Sequence, residues 1–199
     1  GDIPARVQSS NLNEELGQIN HVFSDKTGTL TCNVMEFRKC SIMGVSYGTE
    51  ERLKTEKASN VDFVDPNFNP SDQNAEDFLL HLATCHTIIT EEKEDEIEYR
   101  ASSPDELALV NAAKYFGIKF IGRDGDQNIL IDLKGKVVKI GVLNVIEFNS
   151  DRKRMSVVVR LPDGRIRLMC KGADSIILPR LVNSKVIEST WEHLEDYAN

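Results

Sequence analysis

The pattern of hydrophobic and polar positions changes character near residue 36. Before it, Ile19 to Ser24 form one apolar, β-prone run that stops at Asp25 and gives way to Lys26-Thr27-Gly28-Thr29-Leu30-Thr31. This reads as a strand running into a tight turn. After it, large and polar residues roughly alternate from Met35 to Ile42, and Gly44 and Gly48 follow, so a hairpin is expected there. Residues Glu50 to Pro70 have no clear period and carry two prolines, as a long loop would.

Two segments then have the period of amphipathic helices. Ser71 or Asp72 can cap residues 75–89, where Phe78, Leu79, Leu82 and Cys85 or His86 recur at helical spacing. Ser103 with Glu106 three residues on reads as a capping box, Pro104 suits the first helical position, and Gly117 closes that helix. The acidic run Glu91 to Glu96 between them reads as a solvated loop. The remainder predicts strands over Ile118 to Ile121, Gln127 to Leu133, Lys136 to Phe148, Met155 to Arg160 and Arg165 to Cys170, with turns at Lys134-Gly135 and Pro162-Asp163-Gly164. A last helical stretch follows Asp174. Strands returning through tight glycine turns imply an α+β fold, an antiparallel sheet with flanking helices on one face.

Composition narrows the function. With 40% hydrophobic residues, 12 Gly and 6 Pro, the 199-residue chain is neither collagen-like nor wholly disordered. The 24 basic and 32 acidic residues leave a net charge of −8, which repels phosphate backbones and anionic lipid surfaces, so no nucleic-acid partner is expected. Cys32, Cys40, Cys85 and Cys170 include no C-x-x-C pair and read as thiols of a reducing cytosol. The longest apolar-rich run, Val137 to Phe148, is broken by Lys139 and Asn144 and is too short to span a bilayer. A soluble segment of this kind can still belong to a membrane protein.

The candidate chemistry concentrates at Asp25. A carboxylate at a strand end before a Thr-Gly-Thr turn can simply cap that turn, or it can attack phosphorus and form an aspartyl phosphate. In the second case Gly28 lets backbone fold round the phosphate, Thr27 and Thr29 hydrogen-bond its oxygens, and Lys26 supplies charge. Phe148, at a strand end beside a polar turn, can fill a core or take the face of an adenine. Lys171 can be solvated, or can approach a ligand across the bare backbone of Gly172.

The string DKTGTLT, Asp25 to Thr31, resembles the phosphorylation motif of the P-type ATPases. SSPDELALV (Ser102 to Val110), EFNSDRKRMSVVV (Glu147 to Val159) and MCKGADSII (Met169 to Ile177) follow in the order in which that family's nucleotide-binding domain presents them. The variants SSPDE and EFNSDRKRMSV, with NLNEELGQ before the aspartate, are similar to the type IV branch, the phospholipid flippases. The resemblance covers nearly the whole chain. It implies that residues 1–35 open a haloacid-dehalogenase-like phosphorylation domain with its first strand, and that 36–199 are a nucleotide-binding domain lacking its last strand.

The resemblance further implies roles. Asp25 would be the phosphorylated nucleophile, aided by Lys26 and Thr27, with Thr27, Gly28 and Thr29 about the phosphate. Glu106, Phe148, Lys153, Lys171 and Gly172 would contact an adenine nucleotide; at Ser150 the arginine that cation pumps often carry is missing. Magnesium would sit on Asp25 and the Thr27 carbonyl with a further ligand outside this chain, because neither a TGD nor a GDGxND string occurs. ATP and Mg are thus the expected cofactors. The intact protein would be an integral membrane ATPase moving a phospholipid, with a possible accessory subunit, and this segment would face the cytosol. Isolated, the segment is expected to bind nucleotide without turnover, at roughly millimolar to high micromolar affinity. A cation-transporting P-type ATPase would share DKTGTLT. A haloacid-dehalogenase phosphatase usually has a second acid where this chain has Thr27.

Overall fold

The computed structural model describes residues 14, 16–52, 60–93, 96–182 and 185–198. The chain divides into two compact units, 1–34 and 35–199. In the first, residues 19–25 form no strand, and Val22 and Phe23 are 79% and 95% exposed. A β-prone run needs a neighbour to take its backbone hydrogen bonds, and no other strand lies among the described residues of this unit. The expected turn after it is present as one π-helical turn, Lys26–Leu30, closed by the Thr31 amide donating to the Lys26 carbonyl at 3.1 Å.

The second unit begins with a short hairpin of β1 (Cys40–Ile42) and β2 (Val45–Tyr47). Met43 and Gly44 turn it, both with positive φ, as a tight two-residue connection requires. Helix α1 (Gln73–Thr84) is capped by Asp72, whose side chain accepts from the Asn74 amide, and it ends at Cys85, short of the expected Ile89. There follow β3 (Ile89–Lys93), β4 (Glu96–Arg100) and α2 (Pro104–Tyr115), which stops before Gly117 at φ 90°. Then β5 (Ile118–Arg123), β6 (Ile129–Leu133), β7 (Lys136–Ile146), β8 (Arg154–Arg160) and β9 (Ile166–Gly172) form an antiparallel meander in chain order. Short helix α3 (Asp174–Ile177) and α4 (Lys185–Ala198) close the chain.

Alternation decides which face of the meander is covered. On β5, Ile118 and Phe120 are buried; on β8, so are Met155, Val157 and Val159. They pack with Leu79, Leu82 and Ala83 of α1 and Val110, Ala112 and Ala113 of α2 in one core. The flanking helices thus share one core with the sheet, giving the α+β arrangement that the glycine turns predict.

Two segments differ from expectation. The described residues of the acidic run, 91–93 and 96, lie in the paired strands β3 and β4 instead of a loop, and 94–95 lie outside the described residues. Tyr99 anchors β4, its hydroxyl donating to the Phe120 carbonyl at 2.7 Å, and Arg100 lies 3.1 Å from Glu91 across the ladder. Residues 60–70 form no named helix or strand, as expected of a loop, but they are packed down instead of lying free: Val61 and Phe63 are buried and Phe37 exchanges backbone hydrogen bonds with Asn60 and Asp62. Asp62 tolerates burial because Arg52 donates to it and Arg38 lies 3.7 Å away. Residues 53–59 of the expected loop lie outside the described residues.

The turn after α1 depends on His86, which is fully buried. Its Nδ1 accepts from the Ile88 amide at 3.1 Å, so its Nε2–H donates to the Ala83 carbonyl at 2.9 Å. Burial, with the charges of Arg123 and Lys171 adding to it against the Ala83 bond and Glu106, pushes its pKa down to about 4. The unfolded chain takes up this proton near pH 6.5 and the folded chain only near 4, so the stability from neutral His86 is complete above the higher value. It is lost as pH falls between the two. Urea titrations from pH 7 to 4 should therefore show a loss of about 3 kcal/mol that His86→Gln lacks.

Candidate functional site

Separated stretches of the second unit meet around one cavity of about 550 Å³, with Met155 of β8 among its walls. The turn after α1 contributes Thr87, the start of α2 contributes Ser103, Asp105 and Glu106, the loop after β7 contributes Phe148, and the end of β9 contributes Lys171 and Gly172. The volume lies in the range of small-ligand sites. Phe148 is 63% exposed, so its ring fills no core.

Glu106 and Lys171 form the polar centre. Lys171 Nζ donates to Glu106 Oε1 at 3.0 Å, and the Thr87 hydroxyl donates to Glu106 Oε2 at 2.8 Å. Burial by itself would raise the Glu106 pKa, but the Lys171 ammonium and the Thr87 hydroxyl and amide outweigh it and hold the carboxyl below its usual range. The capping box is not formed: Ser103 is the N-cap residue of α2 but its side chain makes no cap bond, and Glu106 is turned toward Thr87 and Lys171 instead. Spacing along the helix could not reveal this, because the competing partners lie in other elements.

Gly172 has a different reason from the one its sequence suggests. It pairs with Arg154, and a Cβ there would come within 2.6 Å of the Arg154 Cβ and 2.8 Å of the Lys153 carbonyl oxygen. The bare backbone admits the neighbouring strand as well as lining the cavity. Lys153, at φ 50°, accepts the Ala173 amide at 3.3 Å through its carbonyl and is not among the residues lining the cavity. Thr87 had no motif to mark it; only its place after the α1 turn brings it to Glu106.

A larger cavity of about 740 Å³ lies between β1, α2 and α4, lined by Phe37, Arg38, Lys39, Phe78 and Tyr197 among others. Apart from Asp105 and Leu109, which it shares with the first, it gathers none of the residues above.

In the first unit, Asp25 caps the π-helical turn, its Oδ1 accepting the Lys26 amide at 2.8 Å while the side chain stays exposed. Capping and nucleophilic roles are compatible, since one carboxylate oxygen does the first. Gly28 takes φ 78°, which the turn requires, and Lys26 and Thr29 are exposed; the Thr27 side chain lies outside the described residues. No group of three or more metal-ligating side chains occurs among the described residues. Asp25 and the Thr27 carbonyl are oxygen donors of the kind that hold magnesium jointly with substrate phosphates and water.

Comparison with known proteins places the chain in a context. A family model described as P-type ATPase, cytoplasmic domain N, matches residues 74–193. Phospholipid-transporting ATPase IC of Xenopus tropicalis is 44% identical over 217 aligned residues, covering 100% of this chain and 17% of that protein. Phospholipid-transporting ATPase DRS2 of Saccharomyces cerevisiae is 45% identical, covering 100% of this chain and 16% of its own length. Phospholipid-transporting ATPase ID of Homo sapiens is 43% identical, covering 98% and 18%. The chain thus spans about a sixth of the length of these relatives. No helix among the described residues is long and apolar enough to cross a membrane.

Proposed function

The chain belongs to the P-type ATPases, as a cytoplasmic domain N, and on that premise we propose that the Phe148–Glu106–Lys171 cavity holds an adenine nucleotide whose γ-phosphoryl group goes to Asp25. The observation carrying this reading is an exposed aromatic ring on the same cavity as a half-buried ammonium–carboxylate pair. An exposed ring gives a purine a face to stack on, worth about 1–3 kcal/mol. The Glu106 carboxylate, already ionised, accepts from an exocyclic amino group, and Lys171 offers a charge-assisted donor to the ligand. Gly172 and Ala173 keep the wall beside Lys171 low.

At Asp25 the chemistry is substitution at phosphorus. A carboxylate oxygen of Asp25 attacks the γ-phosphorus, the bond from phosphorus to the bridging oxygen breaks, and ADP leaves with the electron pair. Water then cleaves the acyl phosphate, returning the carboxylate and inorganic phosphate. Lys26 and the Thr27-Gly28-Thr29 turn stabilise the phosphoryl oxygens. Asp25 and the Thr27 carbonyl would hold magnesium, which when bound neutralises charge on the transferring group.

The relatives' names support phospholipid as the cargo of the intact protein, moved across a membrane in which that protein is embedded, with this segment on the ATP-bearing side. Residues 1–35 and 36–199 would then belong to a phosphorylation domain and a nucleotide-binding domain respectively, a division that lies within one residue of the two compact units. Phe148→Ala tests the binding step. By calorimetric or NMR titration of the 199-residue chain, AMP and ATP should both bind about tenfold more weakly, the loss expected for one stacked base. Unchanged affinity for both would refute the cavity as the nucleotide site.

A further inference from the structure

Phe148 is mostly exposed, so its own packing does little to hold it; its direction depends on the backbone of the β7–β8 loop, residues 147–153. Arg152, from the far side of that loop, folds back across its neck. Its Nη1 donates to the Glu147 carbonyl at 2.9 Å and the Ile146 carbonyl at 3.4 Å, and its Nη2 reaches the buried Ser156 hydroxyl at 3.4 Å. Its backbone amide donates to Asn149 Oδ1 at 2.7 Å, and the next amide, of Lys153, donates to the Asn149 carbonyl at 2.8 Å. The residues on both sides of Phe148 are therefore tied to Arg152 or its neighbour, while Arg152 is not among those lining the cavity.

We infer that Arg152 is the positioning residue for the stacking ring: its guanidinium fixes the peptide carbonyls just before Phe148, and so the angle at which the ring meets a base. This rests on the nucleotide reading above. A planar fork is what the task requires, because one nitrogen serves two successive carbonyls while the other holds Ser156 on the opposite strand. A lysine ammonium is a point charge and cannot span both sides of the neck. With these donors turned onto two carbonyls and a hydroxyl of the protein itself, Arg152 is not disposed as a phosphate ligand, despite its charge.

The test compares AMP, ATP and inorganic tripolyphosphate on the 199-residue chain carrying Arg152→Ala, Arg152→Lys, Phe148→Ala and the Phe148→Ala/Arg152→Ala pair. Removing the clamp should weaken AMP and ATP by the same factor, about three- to tenfold, and leave tripolyphosphate unaffected. Arg152→Lys should recover only part of the loss, and Arg152→Ala should add nothing once Phe148 is gone. A loss for ATP and tripolyphosphate but not AMP would make Arg152 a phosphate ligand and overturn the inference. So would a loss that adds in full to that of Phe148→Ala, the mark of a scaffold effect, or full binding by a folded Arg152→Ala. If Phe148→Ala itself leaves AMP binding intact, the nucleotide reading fails first and the positioning role with it. Should Arg152→Ala not fold, Arg152→Lys carries the same comparison.

Discussion

Asp25→Asn is expected to abolish incorporation of the γ-phosphate of ATP into the intact ATPase while leaving nucleotide affinity of the 199-residue chain unchanged. Asparagine keeps the size of the side chain and an oxygen able to accept the Lys26 amide, so the π-helical turn retains its cap. What is lost is the anionic oxygen that attacks phosphorus. The product from Asp25 would be an acyl phosphate, stable in acid and cleaved by hydroxylamine, so labelled protein trapped in acid gives the readout. Equal labelling of the Asp25→Asn variant would remove Asp25 from the chemistry.

The largest loss of stability should come from Phe120→Ala. Phe120 is 1% exposed, and its ring lies 4.5 Å from the His86 ring and 6.1 Å from that of Tyr99, centre to centre. Truncating a buried phenylalanine removes its transfer energy and leaves a void that rigid strands close poorly, about 3–5 kcal/mol in all. That is a large share of the roughly 5–15 kcal/mol that holds a domain together. Urea denaturation should register it as a lower midpoint at similar slope. A loss below about 1 kcal/mol would mean that β5 is not the centre of the core.

The meander and helices α1 and α2 were legible because their information is local. Alternation on β5 and β8 and glycine turns at 135 and 164 specify strands and reversals without knowledge of the rest of the chain. The β3–β4 hairpin was hidden because charge reads as solvation, whereas here Tyr99 binds one strand to Phe120 and Arg100 offsets the acids. The loop over residues 60–63 was legible as a loop but its burial was not, because Asp62 is paired by arginines distant in sequence, Arg52 and Arg38. The strand expected at 19–24 needs a partner that local pattern cannot supply.

For the site, Glu106, Phe148, Lys171 and Gly172 could be named from motif strings, and all four line one cavity. Their interplay could not. Helical spacing assigns Glu106 to its own N-cap, while the fold gives it to Thr87 and Lys171, 19 and 65 residues distant. The clamp on Phe148 by Arg152 likewise depends on how a short loop folds back, which no spacing rule encodes.

Amide chemical-shift mapping during titration with AMP reaches the heart of the account with least intervening assumption. The nucleotide reading predicts that the largest changes fall on Thr87, Glu106, Phe148, Asn149 and Lys171 to Ala173. Changes gathered instead about Phe37, Lys39 and Tyr197 in the larger cavity, with Phe148 and Lys171 silent, would contradict it.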